Sequence, residues 1–405
     1  MNAADFSLLD GALVLLSAAI VFVMLMPRVR DAPFWRATVT PLASIIGSGF
    51  LVVVPLLAGI AGPMAIVAII GIVLLSFWLG EAIRFNICHG AADDGWVKTL
   101  ERASNVALAL AYVISITFYV RLLCSFVLAG VHSHSNFNAD VLATVILAFI
   151  GLYGWRRGLQ GLERLEEYSV TIKLAIIASL LAGLAWYDVS HGYDLSALPT
   201  PTRSVWESLR ELAGMVLIVQ GFETSKYLGS TYPPRLRARS MLLAQVVAGV
   251  IYVAFVVLSM PLMGPLAHSH PDETAIIHLS GAITLVLPIM LVFAAAMSQF
   301  SAAVADTIGA GGVMEKEARG RIPIQRSYPL ITALAIALVW SANIFEVITL
   351  ASRAFAFYYM LQAAVACRRA SVHTSGRSAT GRMLLFGALA MLMLIVVLIA
   401  EPVAA

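Results

Sequence analysis

Twelve apolar runs of about 20 residues recur along the chain, and a run of that length crosses a bilayer as a helix. They cover about 7–26, 37–58, 64–85, 104–130, 139–155, 168–187, 209–230, 240–262, 275–308, 328–342, 344–366 and 383–400, with mostly short loops between them. The reading is an all-α polytopic membrane protein of about 12 transmembrane helices. Only 12% of residues are charged, where a soluble domain carries about 25%. That excludes a soluble enzyme, a disordered chain and a disulfide scaffold. The net charge of +3 does not point to nucleic acid, because the basic residues sit in short loops between apolar runs. Cys88, Cys124 and Cys367 show no ligand spacing. Two outer-loop pairs, His132/His134 and His268/His270, lack the further ligands a metal site needs. No metal and no cofactor are called for.

The first run is not a signal peptide, which would carry its positive charges ahead of the apolar stretch. Here Asp5 and Asp10 come first and Arg28, Arg30 and Arg36 come after. Of the 26 basic residues, 20 fall in loops and helix ends on one side, among them Arg84, Lys98, Arg157, Arg237, Lys316 and Arg369. Only Arg203 and Arg210 fall on the other. The positive-inside rule makes the first side cytoplasmic. Both termini are then expected outside the cytoplasm, with the chain integral to a bacterial inner (plasma) membrane.

Two runs carry features a plain spanning helix avoids. One reads Thr40-Pro41-Leu42-Ala43-Ser44-Ile45-Ile46-Gly47-Ser48-Gly49-Phe50, the other Val219-Gln220-Gly221-Phe222-Glu223-Thr224-Ser225-Lys226. Glycine favours unwinding and close backbone approach, although small residues in membrane helices also serve tight helix packing. Backbone that leaves the helix in a membrane must be buried in protein or line a wet cavity. Its free N–H end attracts an anion and its free C=O end a cation. Two such breaks facing each other would hold a zwitterion. Each break opens a block of five runs, and five is odd, so the second block is inverted. Interrupted helices at matching positions of two halves point to a transporter binding site. The expected division is 1–36, an extra helix and linker; 37–187, the first five-helix repeat; 188–208, an outer connector; 209–366, the inverted repeat; and 367–405, a loop and final helix.

With these motifs the sequence resembles the amino acid–polyamine–organocation (APC) superfamily, whose members have the LeuT-type fold and transport small molecules. Ser44-Ile-Ile-Gly-Ser-Gly-Phe50 resembles the first family helix. Gly221-Phe222-Glu223 resembles the GFE of the broken sixth helix, and the basic proline stretch from Tyr232 to Arg239 resembles the family segment just after that helix. Ser298-Gln-Phe-Ser301 resembles the eighth helix, and Thr171-Ile-Lys173 the fifth helix of proton-coupled members. The resemblance implies that a substrate carboxylate sits on N–H groups around Ser48 and Gly49, with Gly47 also among the substrate-binding residues. It also implies that the substrate amine faces carbonyls near Ile45, Gln220 and Gly221, with Glu223 beside them. The chain departs from the family in its additional N-terminal run, in lacking an aromatic residue before Gly221, and in Asp306, where a neutral residue is expected.

Ionisable groups inside spanning runs cost at least ~2.5–3.5 kcal/mol each at the centre and are functional candidates. Lys173 is either a lysine anchoring its helix end or a proton carrier; the resemblance implies the second, in place of sodium, with Ser298 and Ser301 as hydrogen-bond partners. In a sodium-coupled relative those two oxygens would be ligands. Glu223 and Lys226 stand one helical turn apart and can pair; otherwise Glu223 steadies the unwound segment or relays a proton. Asp306 is read as a gate charge pairing with a base such as Arg36, or as an interfacial acid. Arg121 and Arg353 need acids or carbonyls that local sequence does not name.

The leading functional reading is therefore a secondary transporter of an amino acid or related amine. Its partners are that small molecule, the proton and the lipid bilayer. A sodium-coupled symporter or exchanger, and a non-translocating sensor, are the alternatives. A membrane-embedded enzyme is disfavoured, with no HExxH and no GxSxG, and no GxxxxGK[ST] loop serves an ATP-driven pump.

Overall fold

Ser7 and Asp10 set the start of α1 (Leu8–Leu25). The Ser7 hydroxyl oxygen accepts the Asp10 N–H at 3.1 Å and the Asp10 carboxylate accepts the Ser7 N–H at 3.0 Å, a reciprocal cap. The same carboxylate takes the Val286 N–H at 3.1 Å, at the start of α11 (Val286–Glu317). One acid thus serves two helix N-termini, which explains its place at the head of an apolar run.

The computed structural model describes residues 7–47, 49–90, 95–130, 136–196, 198, 204–264, 275–281, 283–319, 321–341, 344–374 and 376–399. After α1 come α2 (Pro27–Arg30), α3 (Pro33–Ile45), α4 (Gly49–Ile60), α5 (Ala65–Cys88), α6 (Gly95–Gly130) and α7 (Asn136–His191). Next are α8 (Val205–Met215), two 3-10 turns (Val216–Val219 and Phe222–Tyr227), α9 (Pro234–Ser259) and α10 (Ala275–Ser280). The helices α11, α12 (Ile324–Ser341), α13 (Ile344–His373) and α14 (Gly376–Ile399) complete the order. No strand occurs among the described residues.

Seven stretches among the described residues are long and apolar enough to cross a membrane whole. One of these, α7, is two spans. Its 56 residues would reach about 84 Å if straight, against a hydrocarbon core of about 30 Å. Gly158, at φ 64° and ψ −163°, folds it back on itself in a conformation that only glycine adopts readily. The expected runs 139–155 and 168–187 lie on either side of that bend. Four further expected spans are α3 with α4, α8 with its 3-10 turns, α12 and α13.

The run 275–308 needs correction at both ends. It is divided into α10 and α11 by a turn after Ser280, and α11 continues to Glu317. Hydropathy falls after 301 because the helix turns to small residues, Ala302, Ala303, Ala305, Gly309 and Gly312, all buried. They let α11 lie against α3, α6, α7 and α12 at once. A helix enclosed by protein needs close approach, not lipid-facing bulk.

Candidate substrate and coupling site

Both expected breaks are present. The helix α3 stops at Ile45, Ile46 leaves helical geometry (φ −88°, ψ 64°), and the helix resumes at Gly49. In the second break α8 ends at Met215 and Gly221 takes a left-handed conformation, φ 111°. Beyond Gly221 the chain winds into the 3-10 turn Phe222–Tyr227, where an α-helical half was expected.

The breaks touch. A Cβ on Gly221 would lie 2.6 Å from Ser44 Cβ, and one on Gly49 would lie 2.7 Å from the Ile218 carbonyl oxygen. Glycine at these two positions is therefore a steric requirement of the crossing. Ser48, expected to hold a carboxylate, lies outside the described residues.

The carbonyls freed by the first break are taken by side chains. Lys173, fully buried on α7, donates Nζ to Ala43 O at 2.9 Å, Ile46 O at 2.6 Å and the Ser301 hydroxyl at 2.8 Å. Ser298 donates to Ile46 O at 2.7 Å and Gly47 O at 3.1 Å. The structure thus brings Lys173, Ser298, Ser301, Ile46 and Gly47 together. Ser301 bonds the lysine directly, while Ser298 meets it through the shared Ile46 carbonyl and through its own carbonyl, which accepts the Ser301 hydroxyl at 3.0 Å. Tyr252 of α9 donates to both Ile45 O at 3.0 Å and Ile218 O at 3.2 Å, tying the breaks to each other. Ser76 donates to Val219 O at 3.2 Å. The Ile45 and Gly221 groups expected to be open to a substrate are internally satisfied: the Gly221 N–H goes to Glu223 at 2.9 Å and its carbonyl to the Thr224 hydroxyl at 2.8 Å. Gln220 differs, with its Oε1 buried and without a partner.

Two acids flank the crossing. Glu223 also accepts from the hydroxyls of Tyr359 at 2.6 Å and Tyr112 at 3.3 Å. Asp306 accepts from Ser44 at 2.8 Å and, at a shorter distance, from Ser115. Both carboxylates are buried and held by hydroxyls, with a backbone N–H added at Glu223. The expectation for Asp306 is corrected: it is neither interfacial nor a partner of Arg36, which pairs with Glu163 at 2.6 Å. It lies well inside α11, beside the end of α3.

The expected Glu223–Lys226 pair does not form. The left-handed turn at Gly221 presents an N–H that captures Glu223, while Lys226 reaches Glu101 of α6 at 2.9 Å and Gln362 of α13 at 2.7 Å. Arg121 finds its acid in Asp140 at 2.9 Å. Arg353 is exposed on α13 and is not a buried charge.

A family model described as APC superfamily transporter matches residues 27–400. The chain belongs to the APC superfamily of transporters. A protein of Aquifex aeolicus (strain VF5), described only as uncharacterized, is 46% identical over 354 residues, 84% of this chain and 86% of its own. Two solved structures share the LeuT-type fold. MhsT in complex with L-phenylalanine superposes with a TM-score of 0.60 at 14% identity, covering 91% of this chain and 99% of its own. A mutant of the Eremococcus coleocola manganese transporter gives a TM-score of 0.56 at 12% identity, covering 90% and 87%.

The transporter has further buried groups that local sequence reading passes over. Glu166 is fully buried, accepts from Thr40 at 2.7 Å through Oε2, and leaves Oε1 without a partner. It precedes Lys173 by seven residues, two helical turns, so both face α3. That spacing in Glu163-Arg-Leu-Glu166-Glu167 is a usable signal, hidden because these acids read as loop. Tyr112, Tyr252 and Tyr359 give no such signal, since a tyrosine in an apolar run reads as packing.

Proposed function

We propose that this APC transporter is a secondary carrier that moves an amino acid or related amine together with protons. The observation that carries the reading is the Lys173 ammonium seated on the Ala43 and Ile46 carbonyls and the Ser301 hydroxyl. A C-terminal helix end with free carbonyls attracts a cation. Here the chain supplies its own, at the position where the family resemblance puts sodium in sodium-coupled relatives. Lysine readily exchanges its proton when buried. Its loss would release the end of α3 and its gain would hold it, so protonation and the position of the broken helix are coupled.

The substrate amine would lie between the breaks. Gln220 Oε1 offers an unused acceptor, and Asp306 and Glu223 are carboxylates that a cation arriving there would complete. MhsT, with L-phenylalanine bound, supports an amino acid as the cargo class. Glu166 lies about 10 Å from Lys173 along the helix axis, on the same face of α7. It would pass protons between Lys173 and the basic end of the bundle.

In this reading the basic end is cytoplasmic, in a bacterial inner membrane, with both termini outside. Residues 37–187 and 209–366 form the inverted repeats, and the bundle holding both breaks rocks against the rest. The test is uptake in proteoliposomes under an imposed pH gradient. Gradient-driven accumulation of an amino acid or amine is the expected result. Accumulation that ignores the pH gradient and requires sodium would defeat the proton assignment.

A further inference from the structure

At the basic end a cavity of about 750 Å³ opens between α5, α6, the end of the Phe222–Tyr227 turn, α9, α11 and α13. Seven basic and three acidic residues line it. Glu101, nearly buried, receives Lys226 at 2.9 Å, Lys316 at 3.1 Å and Arg369 at 3.2 Å. Glu317 is taken by Arg102 at 3.4 Å and by Asn105 at 2.6 Å. These two acids are thus already engaged while basic groups remain in excess. Arg237 donates Nη1 to the Lys226 carbonyl at 2.5 Å, yet its Nε is buried with no acceptor. Lys98 and Arg319 stand exposed on the cavity wall.

Like charges gathered around one cavity repel one another, and a counter-anion relieves that cost. An N–H buried without an acceptor costs a further desolvation penalty, which an anionic oxygen removes. A guanidinium and several ammonium groups around a space of this size match a phosphate group, with its several acceptor oxygens. Neither the crossing of the two breaks, at Ile46 and Gly221, nor Lys173 lines the cavity, so it is separate from the substrate and coupling site.

We propose that this cavity is a binding site for a phosphate-bearing anion, and that the occupied site ties the second break, through Lys226 and Tyr227, to α6, α11 and α13. Free phosphate and a phospholipid headgroup share that chemistry.

The experiment is thermal melting of the purified full-length protein. One arm titrates inorganic phosphate in a neutral detergent, with chloride adjusted to hold ionic strength. The other compares nanodiscs of neutral lipid with nanodiscs containing phosphatidylglycerol. A bound ligand raises the melting temperature according to RT ln(1 + [L]/Kd). A rise with phosphate at constant ionic strength supports the site with a soluble ligand; a rise only with the anionic lipid supports it with a headgroup. The double variant Lys98→Gln/Arg319→Gln changes two exposed groups and leaves the Glu101 contacts alone. It should weaken the response by about fivefold in apparent Kd, equivalent to ~1 kcal/mol for the two partly screened charges together. Glu101→Gln should act in the opposite direction, because it removes a competing carboxylate. No rise with either ligand, or an equal rise in wild type and the double variant, overturns the proposal.

Discussion

The Lys173 ammonium lies 2.6 Å from the carbonyl oxygen of Ile46, the residue at which α3 leaves helical geometry. Removing the amine takes the lysine donor from the Ala43 carbonyl and leaves the Ile46 carbonyl with Ser298 alone, at a cost of about 1–3 kcal/mol for each buried group left unsatisfied. Lys173→Ala should therefore insert, melt earlier and lose accumulation driven by a pH gradient. Lys173→Arg separates charge from proton exchange, because arginine keeps its proton. It should bind substrate yet fail to accumulate it. Accumulation by the arginine variant at the wild-type rate discards Lys173 as the carrier.

Gly221 and Gly59 make a matched pair for the crossing of the breaks. At Gly221, φ is 111° and an added Cβ runs into Ser44, whereas nothing lies within 4 Å of a Cβ at Gly59 in α4. Gly221→Ala should cost roughly 2 kcal/mol or more, since the left-handed penalty alone is 1–2 kcal/mol. Gly59→Ala should be neutral, or stabilising by up to ~1 kcal/mol from helix propensity. Thermal melting of the two variants side by side checks this; equal losses would mean that the breaks do not meet as described.

The positions of both breaks were legible because glycine, proline and charge inside an apolar run have few other uses there. The bend at Gly158 was legible as a gap between runs. The partners of the buried charges were not. Lys226 pairs with Glu101, 125 residues away, and no local spacing announces a contact of that kind; the nearer acid, Glu223, was drawn off by the Gly221 N–H. Asp306 was misplaced because the hydropathy of α11 falls where its neighbours become protein, and a drop in hydropathy reads as a helix end. The tyrosines that hold Glu223 and close the Ile45 and Ile218 carbonyls could not be told from core residues until their hydroxyls had named acceptors.

Asp306 brings the end of α3 and α6 together through the Ser44 and Ser115 hydroxyls. Asp306→Asn keeps the shape and part of the hydrogen bonding but removes the charge. If the carboxylate receives the substrate amine, affinity for amines should fall by about 10- to 100-fold, the worth of a hydrogen bond to a charged group being ~1.5–3 kcal/mol. The melting temperature without ligand should change little or rise, because a buried unpaired charge has been removed. Ligand-induced melting shifts over a panel of amino acids and diamines read both quantities. Unchanged affinity across the panel takes Asp306 out of the substrate site.

Glu166 separates coupling from transport. Its Oε2 accepts from Thr40 and its Oε1 is orphaned in the interior, so Glu166→Gln retains an acceptor for Thr40 while losing the ability to carry a proton. The new amide also brings N–H donors to a place where an acceptor stood alone, so stability should move by no more than ~1 kcal/mol either way. Exchange of labelled for unlabelled substrate across a proteoliposome membrane moves no net proton, whereas accumulation against a gradient does. Accumulation should fall by about tenfold, equivalent to ~1.4 kcal/mol on the proton-transfer step, and exchange should fall far less. Equal loss of both would make Glu166 a packing residue of the α3–α7 contact, and full retention of both would route the proton to Lys173 by another way.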